Sequence, residues 1–397
     1  MIRLKLTYIL LGTIILLAGC SPDDPWQRGT VEGYVPVYSN DPSTKQVQSL
    51  PARPVVNGGK LYNAGTDVLL EEKDSGLHII SYANPVRPRR TGFIRIPGMG
   101  QVTVEGNYLY AANYNDIVII DLATMEVRGR INGVASAKAF PPVDNAYFEC
   151  ADPSKGTVIG WRKTLVNNPQ CRTSRYGNIY AGNENDLNAG IVVSQQHLYL
   201  AKDKNLLVYS IAQSSSPVLK KSLPFPYTPD SIFRFNDDLA VTANIYSGGM
   251  DLYSLAEPET PVLKKYYQDI TACLKIRAAG QYAFAITKRR DGCSWSSGLN
   301  IYDMAKDSPF LSSIPIQAPG SLALSDRIIY VSGFSGTEII NMTDVSSPVI
   351  ISGQLSEIFS DMQTAGNLLF ARTDSVTWCY NITLPQAPVL ISKLTDR

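Results

Sequence analysis

Histidine is scarce in this sequence, which contains only His78 and His197. Imidazole is a frequent general base and metal ligand, so two copies leave little material for a Ser-His or Cys-His nucleophile or a His-rich metal site. We interpret both as structural, because they lie at or beside expected strand positions. The sequence also has no Gly-x-Ser-x-Gly elbow, no His-Glu-x-x-His, no phosphate-binding glycine loop and no EF-hand-like ladder. We therefore predict no catalytic residues, no metal site and no cofactor.

Charge is scarce as well. Lys and Arg number 36 against 35 Asp and Glu, which gives a net charge of +1, and charged residues make up 18% of the chain. A neutral chain lacks the electrostatic field that holds nucleic acid, so no nucleic-acid partner is expected. The hydrophobic share of 44%, with 22 tyrosines, indicates a globular, folded chain.

Long apolar runs are limited to one near the N-terminus. Arg3 and Lys5 precede an apolar stretch over 6–17, which is typical of a secretory signal peptide and short for a membrane span. The stretch ends in Leu-Ala-Gly-Cys at 17–20, which resembles the bacterial lipobox. That resemblance implies cleavage before Cys20 and attachment of a diacylglycerol to its sulfur. The alternative is an ordinary signal peptide followed by a chance cysteine.

The segment after the signal peptide (1–19) sets the expected location. Asp23 and Asp24 follow Cys20 closely and resemble the surface-export signal of Bacteroidota lipoproteins. We expect an outer-membrane lipoprotein held by its lipid and exposed on the cell surface, with a periplasm-facing protein as the alternative. Residues 20–55 are polar and rich in proline, which predicts a tether that is partly ordered around 33–38.

A repeat of about 40 residues dominates the rest of the chain. Its clearest copy, over 100–131, consists of four short strands joined by tight Gly, Asn or Asp turns. The third strands combine aliphatic or aromatic residues with a polar cap, and they align as 78–81, 118–121, 207–210, 251–254, 300–303, 338–341 and 377–380. The later fourth strands begin at prolines spaced 39 to 48 residues apart, namely Pro217, Pro261, Pro309, Pro348 and Pro388.

Repeated four-stranded units predict an all-β fold, a β-propeller over 56–397. Seven full units are recognisable, with a gap at 132–188 between the second and the third. Within it, 146–150 and 157–161 align with the second and third strands of a unit, which predicts a hairpin. The propeller has either eight blades, one of them degenerate, or seven blades with a long insertion.

The repeats resemble the LVIVD-repeat family, for which Ile-Val-Ile-Ile-Asp at 117–121 is the nearest match. The resemblance covers roughly 59–397, and 32–38 also looks like members from Bacteroidota. The blade at 377–380, with Thr-Trp-Cys-Tyr, departs from the pattern. The family implies a propeller on a secreted or surface lipoprotein, mostly of unassigned activity, and it carries no catalytic residues that could be transferred.

Five cysteines follow Cys20, and an exported chain permits disulfides. The connection into a blade's first strand and the loop between its second and third strands lie on one face of a propeller, here called the upper face. Cys273 and Cys293 occupy these two loops of one unit, so we expect them to bond. We expect a second bond between Cys150 and Cys171, which leaves Cys379 as a buried thiol.

A ligand site should lie on loops carried by the rigid blades. Arg289, Arg290 and Trp295 share one upper loop and could grip a carboxylate, a sulfated sugar or an acidic protein surface. Asn113, Tyr114, Asn115 and Tyr227 offer amide and aromatic groups that could stack on sugars. The alternatives are a solvated loop in the first case, and turn chemistry with ordinary blade packing in the second.

These observations favour a membrane-anchored binding or scaffold module for a protein partner or a glycan on the upper face, without catalysis. A carbohydrate-active hydrolase or lyase is the alternative, because it needs only two carboxylates converging on the central channel. The sequence does not identify the ligand.

Overall fold

The structure is a computed structural model that describes residues 29–135, 138, 140–143, 145–173, 190–202, 204–227, 229, 231–242, 249–268, 270, 275–287 and 296–397, with the backbone alone at 352–354. This part of the chain is all-β, with short 3-10 turns at Pro42–Lys45 and Pro153–Lys155. No helix in it has the length and apolar character needed to cross a bilayer.

Four strands in the same order form each repeat. The strands of the first two repeats are β3 (Gly58–Ala64), β4 (Asp67–Glu72), β5 (Asp74–Ser81), β6 (Arg89–Glu105), β7 (Tyr108–Asn113), β8 (Asp116–Asp121) and β9 (Glu126–Ile131). The next two comprise β13 (Ile191–Ser194), β14 (His197–Lys202), β15 (Asn205–Ser210), β16 (Val218–Pro224), β17 (Ser231–Phe235), β18 (Asp238–Thr242), β19 (Met250–Ser254) and β20 (Val262–Tyr267).

The last three repeats comprise β21 (Lys275–Ala279), β22 (Tyr282–Thr287), β23 (Gly298–Asp303), β24 (Phe310–Pro315), β25 (Ser321–Ser325), β26 (Ile328–Gly333), β27 (Gly336–Asn341), β28 (Val349–Leu355), β29 (Asp361–Ala365), β30 (Leu368–Arg372), β31 (Val376–Asn381) and β32 (Val389–Thr395). The remaining strands are β1 (Thr30–Ser39), β2 (Gln48–Leu50), β10 (Tyr147–Phe148), β11 (Thr157–Asn167) and β12 (Cys171–Arg172).

Each repeat is one antiparallel sheet, or blade, whose neighbouring strands are consecutive in sequence. Long strand β6 serves two blades, as the fourth strand of blade 1 and the first strand of blade 2. The seven aligned third strands all occur as third strands, and each of the five prolines immediately precedes its fourth strand. The predicted period of the fold is confirmed.

Blade-to-blade packing closes a ring of seven blades within the described residues. Each first strand contacts the first strand of the next blade, and β29 of blade 7 contacts β3 of blade 1. Seven separate clusters of buried apolar side chains fill the seven contacts. The propeller is therefore held by the burial of aliphatic and aromatic side chains between blades.

The ring decides between the two predicted blade counts. Blade 2 packs directly on blade 3, because Ile117 and Ile119 share a buried cluster with Ile191 and Val193. Gly129 of β9 also lies so close to the backbone of Ser214 that an added Cβ would come within 1.9 Å of its carbonyl oxygen. No space for another blade exists between them, so the described residues form seven blades, and the residues between blades 2 and 3 are an insertion.

Three strands of the insertion and β1 of the N-terminal segment form a separate four-stranded sheet with the order β11-β1-β10-β12, which we call the cap sheet. Strand β1 pairs antiparallel with β11 and parallel with β10, and therefore lies between them. The hairpin predicted from 146–150 and 157–161 is wrong, because β1 separates its two strands. The tether predicted over 20–55 is wrong from Thr30 onward: the order expected around 33–38 is a full strand, and β2 joins the edge of blade 1.

Polar contacts fix the cap sheet and the N-terminal segment to the upper face. Lys45 donates to Asn115 at 2.6 Å and to Asp116 at 2.9 Å, both at the upper turn of blade 2. Lys138 forms an ion pair with Asp74 at the upper turn of blade 1. The N-terminal segment and the insertion are thus attached to the upper turns of blades 2 and 1.

Candidate functional site

Part of the predicted site lies outside the described residues. The residues concerned are Cys20, Cys273, Cys293, Arg289, Arg290 and Trp295. The lipid anchor, the disulfide in the fifth blade and the ligand role of the basic upper loop therefore stay predictions.

The Cys150–Cys171 disulfide is present, with the two Cα atoms 5.3 Å apart. Cys150 follows β10 and Cys171 begins β12, and these strands pair antiparallel in the cap sheet. Closing a loop of this length stabilises a fold by about 3 kcal/mol through the entropy of the unfolded chain. Cys379 is a buried thiol, as predicted, and burial raises its pKa to about 12.

Asn113, Tyr114 and Asn115 make contacts within the chain. Fully buried Asn113 donates to the Pro97 carbonyl at 2.6 Å and accepts from Arg130 at 2.7 Å. Tyr114 adopts a positive φ of 57°, and its ring lies against Gly98. Asn115 accepts from Lys45, as described above. The structure thus uses the polar atoms of both asparagines to join strands and to hold the N-terminal segment.

Tyr227 belongs to an aromatic cluster between blades 3 and 4. Its ring stacks on Phe225 with centroids 5.8 Å apart, and its hydroxyl donates to the buried carboxylate of Asp251. Tyr253 donates to the same Oδ2 atom at 3.3 Å. Burial raises the pKa of Asp251, although the two hydroxyl donors oppose that effect. This cluster packs against buried apolar side chains of both blades.

His78 has the structural role that the sequence predicted. It is fully buried, its Nε2 atom lies 2.9 Å from Oε2 of Glu72, and its ring lies 4.8 Å from that of Phe93. Burial lowers the pKa of His78 even though Glu72 favours its protonation. Glu72 also accepts from the backbone N–H groups of Val56 and Asn57, which guides the chain into β3.

A cavity of about 330 Å³ lies in the central channel. Its walls come from the first strands of blades 1, 2, 5 and 7, because the first strand of each blade is innermost. Its cationic side chains are Lys60, Lys275 and Arg277, and its carboxylate is Asp361. Neutral polar groups and one aromatic ring also line it, namely Asn63, Thr103, Gln363 and Tyr62.

Asp361 joins three blades at the upper end of this cavity. One oxygen of the buried carboxylate forms an ion pair with buried Lys275 of blade 5, and the other accepts the Leu61 N–H of blade 1 at 2.8 Å. Burial alone would raise the pKa of Asp361, but the Lys275 charge and the hydrogen bonds outweigh it and hold that pKa below its usual value. The carboxylate is therefore ionised and fixed.

The cavity carries an excess of positive charge. Three cationic side chains against one carboxylate give its lining residues a net charge of 3 − 1 = +2. On β4 of blade 1, the Glu71 carboxylate accepts the backbone N–H of Lys60 at 2.9 Å, which lowers the local excess to +1. Such a site attracts an anionic group and disfavours a cation.

These channel residues were not predicted from the sequence, although a signal for them exists. Charged or amide side chains occur two residues apart at the start of first strands, as in Lys275 with Arg277 and Asp361 with Gln363. Alternate residues of a strand share a face, so the innermost strands present such pairs to the channel. Alignment of the first strands, rather than of the third and fourth, would have revealed this pattern.

Comparison with solved structures places the chain in the β-propeller class. Hsv2 of Kluyveromyces lactis is similar with a TM-score of 0.53 and 9% identity, covering 87% of this chain and 100% of that one. Hydrazine synthase of Kuenenia stuttgartiensis is similar with a TM-score of 0.51 and 10% identity, covering 90% and 97%. At such identities the likeness concerns the fold alone.

The family model of the LVIVD repeat matches residues 99–123 and 188–223. These segments fall on blades 2 and 3, directly before and after the insertion. Blades 2 and 3 thus carry matches to the LVIVD repeat, and the ring of blades is a β-propeller. No curated protein sequence matches it.

Proposed function

We propose that this chain is an exported, lipid-anchored binding module that takes a ligand at the upper mouth of its central channel and performs no chemistry on it. The observation that carries the proposal is the cationic cavity with its single ionised and immobilised carboxylate. A cavity of this size lies at the lower end of the range of small-molecule sites, about 300–1,000 Å³. It suits one small ligand or one unit of a longer chain.

The state of Asp361 supports binding over hydrolysis. A glycosidase needs two carboxyl groups on opposite sides of the scissile bond, one of them protonated through a raised pKa. Among the described residues that line the cavity, Asp361 alone carries a carboxyl group, and its pKa is lowered. An ion pair that joins blades also cannot move without loosening the ring.

The proposed anchor is Cys20 carrying a diacylglycerol on its sulfur, which would hold the propeller at the outer membrane, exposed on the cell surface. A protein partner or a glycan at that surface would be the natural class of ligand. The support is the lipobox-like sequence at 17–20, followed by a folded domain that begins only ten residues after Cys20.

We expect the wild-type chain to incorporate a labelled fatty acid in cells and to sediment with membranes. The Cys20→Ser variant should lose the label, because it lacks the sulfur that carries the lipid, whereas the Cys379→Ser variant should keep it. Equal labelling of the wild type and the Cys20→Ser variant would contradict the anchor.

The binding role is tested with the purified lipoprotein on a glycan array and by crosslinking in native membranes. We expect retention of an intact ligand with no reducing ends released from any polysaccharide that binds. Turnover of a bound polysaccharide, abolished by Asp361→Asn, would contradict the proposal and favour the hydrolase or lyase.

A further inference from the structure

Blade 1 departs from the other blades at the start of its fourth strand. In blades 3, 4, 6 and 7 the fourth strand begins with two aliphatic residues that are at least 42% exposed, namely Val218 and Leu219, Val262 and Leu263, Val349 and Ile350, and Val389 and Leu390. In blade 1 the same two positions, which pair with the end of the third strand, hold Arg89 and Arg90. Two arginines at positions that the repeat fills with aliphatic residues indicate a function particular to this blade.

Arg90 begins a row of cationic side chains on one face of β6. Arg90, Phe93 and Arg95 pair with alternate residues of β5 and therefore share one face of the blade, with a β-bulge between Arg90 and Phe93. Arg53 lies over the Phe93 ring, with its guanidinium carbon 3.9 Å from the ring centroid. The three guanidinium groups, which we call the arginine row, thus follow the strand in the order Arg90, Arg53, Arg95, at the spacing of alternate residues, about 6.6 Å.

Most hydrogen-bond donors of the arginine row are available to a partner. Arg53 and Arg95 are exposed, and neither forms an ion pair with a carboxylate in the described part of the chain. Stacking on Phe93 orients the Arg53 guanidinium without using its N–H groups, and Arg95 donates once, to the Gln48 side chain at 3.2 Å. Arg90 contributes its charge, although two backbone oxygens at the end of blade 7 hold its guanidinium.

Strand β2 leaves an open edge beside the arginine row. It pairs antiparallel with β6 over Phe93 to Arg95, and among the described residues no strand pairs with its other side. Blade 1 has thereby already accepted one extended segment at its outer edge, and the N–H and carbonyl groups on the far side of β2 can accept another. A polypeptide can form that ladder of main-chain hydrogen bonds, whereas a polysaccharide or a lipid surface cannot.

We infer that the outer edge of blade 1 docks an extended acidic segment of a partner protein, which pairs with the free edge of β2 and directs alternate carboxylates at Arg53 and Arg95. Alternate side chains of an extended segment lie on one face at the spacing of the arginine row. Each guanidinium can donate two parallel hydrogen bonds to a carboxylate. This surface lies on the outside of the ring, so the inference goes beyond the proposed channel ligand and does not rest on it.

The experiment is a titration of a fluorescent peptide with the full chain, read by anisotropy. The probe has the sequence Thr-Glu-Val-Glu-Val-Glu-Thr, in which the glutamates alternate. We expect it to bind about fivefold more tightly than a peptide of the same composition whose glutamates are contiguous, and its affinity to fall as salt concentration rises. A peptide with glutamine in place of each glutamate should show no measurable binding.

Two variants and a matched control localise the site. Arg53→Gln and Arg95→Gln should each weaken binding of the alternating peptide by about fivefold, because each removes one charged donor. Arg327→Gln removes the same charge from an exposed turn between β25 and β26 and should have no effect. Thermal unfolding of each variant establishes that the ring is intact.

Dextran sulfate and vesicles of phosphatidylglycerol and phosphatidylcholine are the competing probes. Tighter binding of either one than of the alternating peptide, lost in the Arg53→Gln and Arg95→Gln variants, would overturn a peptide as the occupant. No binding of the alternating peptide, equal affinity for the two glutamate arrangements, or unchanged affinity in both variants would also overturn the inference. None of these results bears on the channel site, which the glycan array tests separately.

Discussion

Individual polar side chains form hydrogen bonds between blades, where no main-chain hydrogen bonds between strands are available. Main-chain hydrogen bonds join strands within a blade, but blades meet mostly through apolar packing. Polar side chains therefore add the directional contacts between blades: the Tyr199 hydroxyl donates to the Pro258 carbonyl, and the Tyr330 hydroxyl to the Pro385 carbonyl. The high tyrosine content of the sequence serves these contacts between blades, because a tyrosine side chain packs through its ring and carries a hydroxyl donor at its tip.

We expect Asp361→Asn to lower the free energy of unfolding by about 3–5 kcal/mol at neutral pH, because it leaves the Lys275 ammonium buried without its counter-charge. A variant that carries Asp361→Asn together with Lys275→Met removes both charges and should lose less stability than the single variant. Chemical denaturation of both proteins measures the difference. A single variant that is more stable than the double variant would contradict this role.

The same carboxylate makes stability depend on pH. Since the pKa of Asp361 in the folded chain lies below its unfolded value, its contribution is fully present above the unfolded pKa of about 3.9 and is lost as pH falls through the folded value. We therefore expect the wild type to lose stability between about pH 5 and the folded pKa more steeply than the double variant. Equal slopes in denaturation midpoints across that range would contradict the expectation.

The limit of sequence reasoning at this scale is illustrated by Asp361 and Lys275. Turn-capping aspartates were predictable, because their partners are two residues away, as Asp121 accepts the Ala123 N–H at 2.9 Å. The partner of Asp361 lies 86 residues earlier, two blades away, and the contact exists only because the ring closes. Local patterns contain no information about such a pair.

Among the structural elements, β1 is the one whose position in a sheet was not predicted from the sequence. Its valines and tyrosines are interrupted by Gly33 and Pro36 and lie in a segment that is otherwise polar and rich in proline, which is typical of a linker. The strands on either side of it come from residues more than a hundred positions later in the chain, and one pairing is parallel. The repeated blades were predictable because each strand pairs with its sequence neighbour; β1 has no such neighbour.

We expect Gly33→Val to release β1 from the cap sheet. A Cβ atom at this position would lie 2.6 Å from the carbonyl oxygen of Tyr147 on β10, which is backbone and cannot rotate away. Gly160→Val on β11 is the control in the same sheet, because a Cβ there meets nothing within 4 Å. Hydrogen exchange should show faster exchange of β1 amides in the first variant, and equal protection in both would contradict the assignment.

At the scale of the whole molecule, closure of the ring depends on the join between blade 7 and blade 1. Buried Arg372 makes two hydrogen bonds of 2.6 Å to the Asp396 carboxylate, and the Asp396 carbonyl accepts the Val55 N–H at 3.0 Å. The first and last residues of the propeller are thus tied at one point. The sequence predicted the blades but left their number open, because a gap of 57 residues is long enough to hold one more.

We expect Asp396→Asn to lower the free energy of unfolding by about 3–5 kcal/mol, because it leaves the Arg372 guanidinium, which is 1% exposed, without its counter-charge. Asp374→Asn is the matched control: Arg372 contacts the backbone carbonyl of Asp374, which the substitution keeps. Thermal denaturation compares the two. Similar midpoints for both variants would show that this ion pair, which ties the end of β30 to the residue after β32 within blade 7, does not stabilise the end of the propeller.

The docking of β1 also limits how far the propeller can stand from a bilayer. With Cys20 as the lipidated residue, only Ser21 to Gly29 separate the acyl chains from Thr30, and nine residues span at most about 30 Å even when fully extended. On the proposed anchoring at Cys20, so short a connection would keep Thr30, where the cap sheet begins, within that distance of the membrane surface. The propeller would then meet molecules carried on that surface at a high effective concentration.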